Sequence, residues 1–246
     1  MPRARCGTVL VVSPSPLSYT LEGKTAVVRM DDGKANALSS DMIDALLEAI
    51  TRAEGEASSL VLTGRKDKFC AGFDLKVMMS GPENAKALLR RGSNLLMRLY
   101  GCRVPLVIAC TGHALAGGAL VLLTADTRIG TEGAYRIGLN EVAIGMPVPV
   151  LAMELARDRL DPRELGKATL LATIYDPSEA ARVGYLDRAL PEADVLGAAL
   201  EEAKKLEALA PAAFAATKDR LRGRTIAHVN DTLEADMQAL LMPVAG

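Results

Sequence analysis

The segment Val104–Ala125 limits the fold more than any other part of this chain. It is the most apolar region of the sequence and about as long as the ~20 residues that cross a bilayer. Pro105, Gly112, His113, Gly117 and Gly118 interrupt it, however, so it does not read as a spanning helix. Leu106–Thr111 (LVIACT) is an unbroken apolar run, as expected of a strand buried on both faces. Gly112–Gly118 then reads as a tight turn, and Ala119–Ala125 as a short apolar helix behind it. A strand buried on both sides needs layers above and below it, which points to an α/β core.

The flanking sequence agrees. Ala26–Met30 is a β-branched strand, and Asp31-Asp32-Gly33 is turn chemistry. Ser39 and Ser40 can cap a helix running to about Glu54, whose Ile43, Leu46, Leu47 and Ile50 fall at helical spacing. Leu60–Thr63 is a further strand, followed by a polar loop Arg65–Lys68, and Glu83–Tyr100 is a second long helix. Asp126–Gly130 is the next strand. From Pro147 onward the chain is Ala- and Leu-rich, with helices expected near 149–158, 162–172, 178–183, 192–209, 212–222 and 230–241 as an all-helical appendage. The expected organisation is an extension over 1–18, a core over 19–190 and a helical region over 191–246. The extension carries Arg3, Arg5 and several Ser and Thr before its first acidic residue, faintly like a transit segment. Thr8–Val12 is too short for a signal-peptide core and reads as irregular chain or an edge strand.

Composition excludes several functions. Lys and Arg total 29 against 30 Asp and Glu, which leaves no basic footprint for nucleic acid. Aromatic residues are 3% of the chain, too few for stacking on single-stranded bases. Two His and four Cys supply neither a metal site nor a Ser-His-Asp triad well. Cys6, Cys70, Cys102 and Cys110 lack C-x-x-C spacing and read as free thiols in a reducing compartment.

Three features could carry chemistry. The Gly117-Gly118 turn is not a P-loop, because no Lys-Ser/Thr pair follows it. Either it presents free amides at a helix N-terminus to an anion or developing oxyanion, or its small residues only permit close packing. A second small-residue turn, Ala71-Gly72-Phe73, could place another amide beside the first. Glu141 lies among apolar neighbours, Ile137 before it and Ile144 after. It is either a surface residue on a turn or a desolvated base. His113 lies beside the glycine turn with no nucleophile pattern near it and reads as a satisfied, partly buried side chain.

These pieces, in this order, resemble the crotonase (enoyl-CoA hydratase/isomerase) superfamily over about Thr20–Pro191. The matching segments are Asp32–Leu38 (DGKANAL), Phe69–Lys76 (FCAGFDLK), Gly112–Gly118, Asp126, Gly138–Glu141 (GLNE) and Ala180–Leu186. The resemblance implies a spiral of ββα units with C-terminal helices that build homotrimers, often stacked as hexamers. It also implies an acyl-CoA thioester as the substrate, with no separate cofactor and no metal. The amides of Phe73 and Gly117 would form the oxyanion hole, and Glu141 would be the catalytic carboxylate. Lys34, Ala35, Ala37, Ala71, Gly72, Asp74, Leu75, Gly118, Leu120 and Asn140 would line the acyl-CoA. Lys218 is a candidate phosphate contact across a subunit boundary.

Family hydratases use two glutamates. The position of the first holds Leu120 here, and leucine cannot activate water. Within the superfamily the pattern looks most like the Δ3,Δ2-enoyl-CoA isomerases, which work with one glutamate. The expectation is therefore an enoyl-CoA isomerase. An enoyl-CoA hydratase and a non-catalytic acyl-CoA binder stand as alternatives. A cytoplasmic location is expected, with an organelle open.

Overall fold

The structure is a computed structural model and describes residues 15–241. Thr8–Val12 and the rest of the transit-like segment before residue 15 lie outside the described residues. Among the described residues, nine strands alternate with helices. The strands are β1 (Leu17–Glu22), β2 (Thr25–Met30), β3 (Ser59–Thr63), β4 (Asp67–Cys70), β5 (Leu106–Cys110), β6 (Gly112–Leu115), β7 (Thr127–Thr131), β8 (Ile137–Gly138) and β9 (Arg188–Leu190). The helices that follow β2 and β4 are α1 (Ser40–Glu56), α2 (Leu75–Met78) and α3 (Pro82–Tyr100). Beyond β6 come α4 (Gly117–Thr124), α5 (Val150–Arg159), α6 (Leu165–Thr169), α7 (Pro177–Val183), α8 (Glu192–Leu206) and α9 (Pro211–Leu241).

The strands build two sheets. One has six strands in the order β1-β2-β3-β5-β7-β9, and the other has three in the order β4-β6-β8. From β2 to β9 the larger sheet is parallel, and the smaller sheet is parallel throughout. Successive segments supply one strand to each sheet and then a helix: β3-β4-α3, β5-β6-α4 and β7-β8-α5. This is the spiral of ββα units that the family resemblance implies.

The run LVIACT behaves as its composition dictates. Leu106 and Ile108 join the main core with Leu60, Leu62, Ala26 and Val28. Val107 and Ala109 point the other way, against Val195, Ala199 and Ala203 of α8. The period-2 alternation therefore feeds two apolar layers, and both faces of β3 and β5 are buried.

Three expectations need correction. Gly112–Leu115 is a strand, not part of a turn, and β4 begins inside the segment read as a polar loop. Neither strand carries an apolar run long enough to signal itself. Gly112 is small because β4 crosses it closely: a β-carbon there would collide with the Asp67 backbone. The last two expected helices are one helix of 31 residues, α9, which runs through Gly223. Burial of Val229 and Arg222 against the body of the protein outweighs the weak helix propensity of Gly223, Thr225 and Ile226. The expected all-helical C-terminal third contains β9, and α8 closes one face of the larger sheet.

Lys218 does not face a ligand. Its ammonium lies 2.6 Å from Asp126 Oδ2 and donates to Cys102 O at 2.9 Å. Arg222 completes the cluster, 3.0 Å from Asp126 Oδ1, and donates to the Tyr100 and Thr124 carbonyls. Both cation side chains are about 5% exposed, so Asp126 anchors α9 to the core through a desolvated charge cluster. Removing one member leaves buried charge uncompensated, at a cost of about 3–5 kcal/mol. Asp126→Asn is expected to lower the unfolding free energy by about 3 kcal/mol, read by urea denaturation.

Candidate active site

Three segments with the chemistry-bearing residues leave the same end of the small sheet. Because β4, β6 and β8 are parallel, their carboxyl ends lie side by side. The chain leaves β4 into Ala71-Gly72-Phe73, leaves β6 into Ala116-Gly117, and leaves β8 into Leu139-Asn140-Glu141. Crevices outside the carboxyl ends of parallel strands are where α/β folds commonly bind ligands.

The first two segments touch. A β-carbon on Gly72 would lie 3.0 Å from Leu115 O and 3.2 Å from the Gly117 nitrogen, and one on Gly117 would lie 3.3 Å from Gly72 Cα. Only glycine lets these backbones approach so closely, and Gly72 also takes a positive φ of 95°. Gly118 serves packing in the same way, since a side chain there would strike the Cys70 carbonyl. Leu38 N donates to Gly72 O and Asp74 N to Leu38 O, a pattern that leaves the Phe73 amide outside the bridge. The Gly117 amide opens α4, where it has no acceptor within the helix. Neither amide donates to a carbonyl among the described residues.

Ala116 links this turn to the third segment. Its φ of 48° and ψ of −119° are unusual for a residue with a side chain, a conformation that costs about 1–3 kcal/mol. Two hydrogen bonds hold it there: Ala116 N donates to Gly138 O and Leu120 N donates to Ala116 O, both at 3.0 Å. The strained residue is therefore tied to β8, the strand that leads to Glu141.

Glu141 is buried, with 7% of its surface exposed. It precedes a single 3-10 turn, Val142–Ile144, and its carbonyl accepts from the Ile144 and Met146 amides. Its Oε2 has no hydrogen-bond partner among the described residues, and neither has the buried Oδ1 of Asn140. Burial pushes the carboxyl above the ordinary carboxylate range, and the backbone amides of Glu141 and Asn140 only partly oppose this. Leu120 is 2% exposed and packs in the main core, so no carboxylate stands at that position.

The remaining candidate residues form a separate wall. Lys34, Ala35, Ala37 and Asp74 line an open groove of about 720 Å³ together with Ser39 and Lys76. Glu141, Gly72 and Gly117 are not among its lining residues. Lys34 is exposed and Leu75 is 67% exposed. Asp74 caps α2 by accepting from Lys76 N at 2.9 Å. Sequence reading missed Asn36, which fixes this wall. Its side-chain amide donates to the Met30, Lys68 and Phe69 carbonyls, its Oδ1 accepts from Asp32 N, and its φ is 52°. An asparagine in a small-residue Ala-Asn-Ala stretch was the available signal, because asparagine tolerates left-handed φ. His113 lies away from the turn, with Nδ1 accepting from Arg136 N and its ring edge-on to Tyr135. Cys70, Cys102 and Cys110 are free and buried. No helix among the described residues is long and apolar enough to cross a membrane.

Comparison with known proteins shows the family. The sequence model of the family described as "Enoyl-CoA hydratase/isomerase" matches residues 20–244, and the chain belongs to that family. It is 31% identical over 218 residues to the human "Enoyl-CoA delta isomerase 1, mitochondrial", covering 87% of this chain and 72% of that protein. It is 34% identical over 210 residues to a "Probable enoyl-CoA hydratase" of Rhodobacter capsulatus, covering 82% of this chain and 79% of that one. Its structure matches that of an enoyl-CoA hydratase/isomerase family protein from Pseudomonas syringae with a TM-score of 0.90 and 38% identity, covering 92% and 98% of the two chains.

The raised pKa of Glu141 has a consequence for stability. Folding favours the protonated carboxyl, so the penalty is absent at pH values below the unfolded pKa. It grows as pH rises through the folded pKa. Glu141→Gln is therefore expected to raise the melting temperature at pH 8 and to change it little at pH 4, as differential scanning calorimetry would show.

Proposed function

We propose that this protein is an enoyl-CoA isomerase that moves a double bond from C3 to C2 of an acyl-CoA thioester, with Glu141 as its single proton shuttle. The observation that carries this reading is a buried Glu141, whose Oε2 has no hydrogen-bond partner among the described residues, together with an apolar Leu120. A hydratase must hold and deprotonate water, work that family hydratases divide between two glutamates. An isomerase needs only to take a proton from C2 and return one to C4, which one carboxylate can do across a single face of the substrate.

In this reading the thioester oxygen sits between the Phe73 and Gly117 amides. Taking the C2 proton sends charge through the conjugated system to that oxygen, giving a dienolate. Two fixed N–H donors at the mouth of α4 stabilise it, each contributing about 3 kcal/mol to the barrier. The protonated Glu141 then delivers a proton to C4 and is regenerated as the base. Its raised pKa makes the carboxylate a stronger base than an exposed one, and Leu120 keeps water from the place a second carboxylate would hold. Lys34, which lines the groove with Lys76, Ala35 and Ala37, is suited to a phosphate of the nucleotide arm of CoA.

Hydration is the second reading, favoured by the similarity to proteins named as hydratases. The two separate in a panel of 3-enoyl-, trans-2-enoyl- and 3-hydroxyacyl-CoA esters assayed with wild type and Glu141→Gln. Isomerisation of the 3-enoyl ester is expected to dominate, and Glu141→Gln to lower kcat by about 10³-fold or more. Rapid hydration of the 2-enoyl ester, or full isomerase activity in Glu141→Gln, contradicts the proposal.

A further inference from the structure

Helix α3 buries an apolar face made of Ala85, Leu88, Leu95, Leu96 and Leu99, which recur at helical spacing. Gly92 lies in the middle of that face and is itself buried. It is four residues from Leu88 and four from Leu96, where the pattern calls for another large side chain. No positive φ requires glycine there. Glycine is a weak helix former, so one held in the buried middle of a long helix needs a packing or functional cause.

Phe73 fills the gap. A β-carbon on Gly92 would lie 2.1 Å from Phe73 Cε1 and 2.6 Å from Cζ, far inside the ~3.5–4.0 Å at which carbon atoms rest against one another. The opposite edge of the same ring bears on Gly117, where a β-carbon would lie 3.2 Å from both Cδ2 and Cε2. The ring therefore stands edgewise between the middle of α3 and the first residue of α4. At its root the Phe73 backbone pairs with Leu38, which is fully buried.

This packing joins the two amides assigned to the oxyanion hole. One belongs to the residue that bears the ring, and the other to the residue on which the ring rests. A close-packed interior passes a displacement on to its neighbours. A side chain at position 92 would drive the ring off its seat, and the ring would carry the Phe73 backbone with it or press Gly117 aside. Oxyanion donors act at about 2.7–3.1 Å, and a misplacement of about 1 Å can cost about 100-fold in rate.

We propose that Gly92 is a positioning residue for the oxyanion hole: the gap it leaves in α3 seats the Phe73 ring against Gly117 and so sets the spacing of the two donor amides. This rests on the reading of those amides as the donors. Gly92 touches no reacting atom; it acts through the ring.

The test is a double-mutant cycle of Gly92→Ala and Phe73→Ala. Two quantities are measured in all four proteins. The first is kcat and KM for a 3-enoyl-CoA, expressed per folded protein from circular dichroism. The second needs no turnover: a 3-ketoacyl-CoA that gives its C2 proton to the base becomes an enolate, whose near-ultraviolet absorbance is read per bound molecule. Gly92→Ala is expected to lower kcat by about 100-fold while KM changes by less than about threefold. It is also expected to abolish the enolate band, which a merely structural role would not do. In the Phe73→Ala background, where no ring needs the seat, Gly92→Ala is expected to change kcat by less than about twofold. The same fold-loss in both backgrounds, or wild-type kcat and absorbance in Gly92→Ala, would overturn the proposal. If Gly92→Ala does not fold, Phe73→Ala alone decides: lowered kcat with KM kept supports the seat, and wild-type kcat overturns it. Absence of 3-enoyl turnover by wild type contradicts the isomerase reading instead. The enolate band then decides the seat by the same comparison, and a wild type without the band overturns the oxyanion reading and the seat together.

Discussion

Everything in the candidate site depends on the parallel pairing of three very short strands. β4, β6 and β8 together hold only ten residues, yet their parallel order brings three distant pieces of chain to one edge. Antiparallel pairing would send one of those pieces to the opposite end. The bond from Ala116 N to Gly138 O is the tightest expression of this constraint. It joins the turn that presents the Gly117 amide to the strand that presents Glu141, and it holds Ala116 in a strained conformation that it would otherwise leave. The large sheet and its two apolar layers form the rigid body that keeps these strand ends in place.

The electrostatic arrangement follows from burial as much as from charge. No cation figures among the causes that set the Glu141 pKa, which burial alone raises against two backbone amides. The buried cations Lys218 and Arg222 pair with Asp126 and dock α9 instead. The site is thus left with backbone dipoles on one side and a single desolvated carboxylate on the other. That division suits a reaction in which negative charge builds on an oxygen and a proton returns to a neighbouring carbon.

How much of this was legible in the sequence depended on the range of the signal. The run LVIACT announced a strand buried on both faces because its own composition carries the information, and α1 declared itself by apolar spacing. β6 did not, because Gly112 and His113 break its pattern and its pairing partner lies far away in sequence. The continuity of α9 was hidden for the same reason: Val229 and Arg222 hold it through tertiary contacts, and local propensity at Gly223 argues for a break. At the site, the motif order pointed to Phe73, Gly117 and Glu141, yet residue types alone left Glu141 between an exposed turn and a buried base. The structure shows it buried. The clamp formed by Asn36 was invisible, since it depends on which backbone groups lie nearby in space.

The central claim is that one desolvated carboxylate performs the acid–base work. The pH dependence of kcat for 3-enoyl-CoA isomerisation tests it most directly. A single ionisation is predicted, with its midpoint above the ordinary carboxylate range, and the residual activity of Glu141→Gln should show no such step. A profile governed by two carboxylates, or one whose acid limb survives unchanged in Glu141→Gln, would contradict the account.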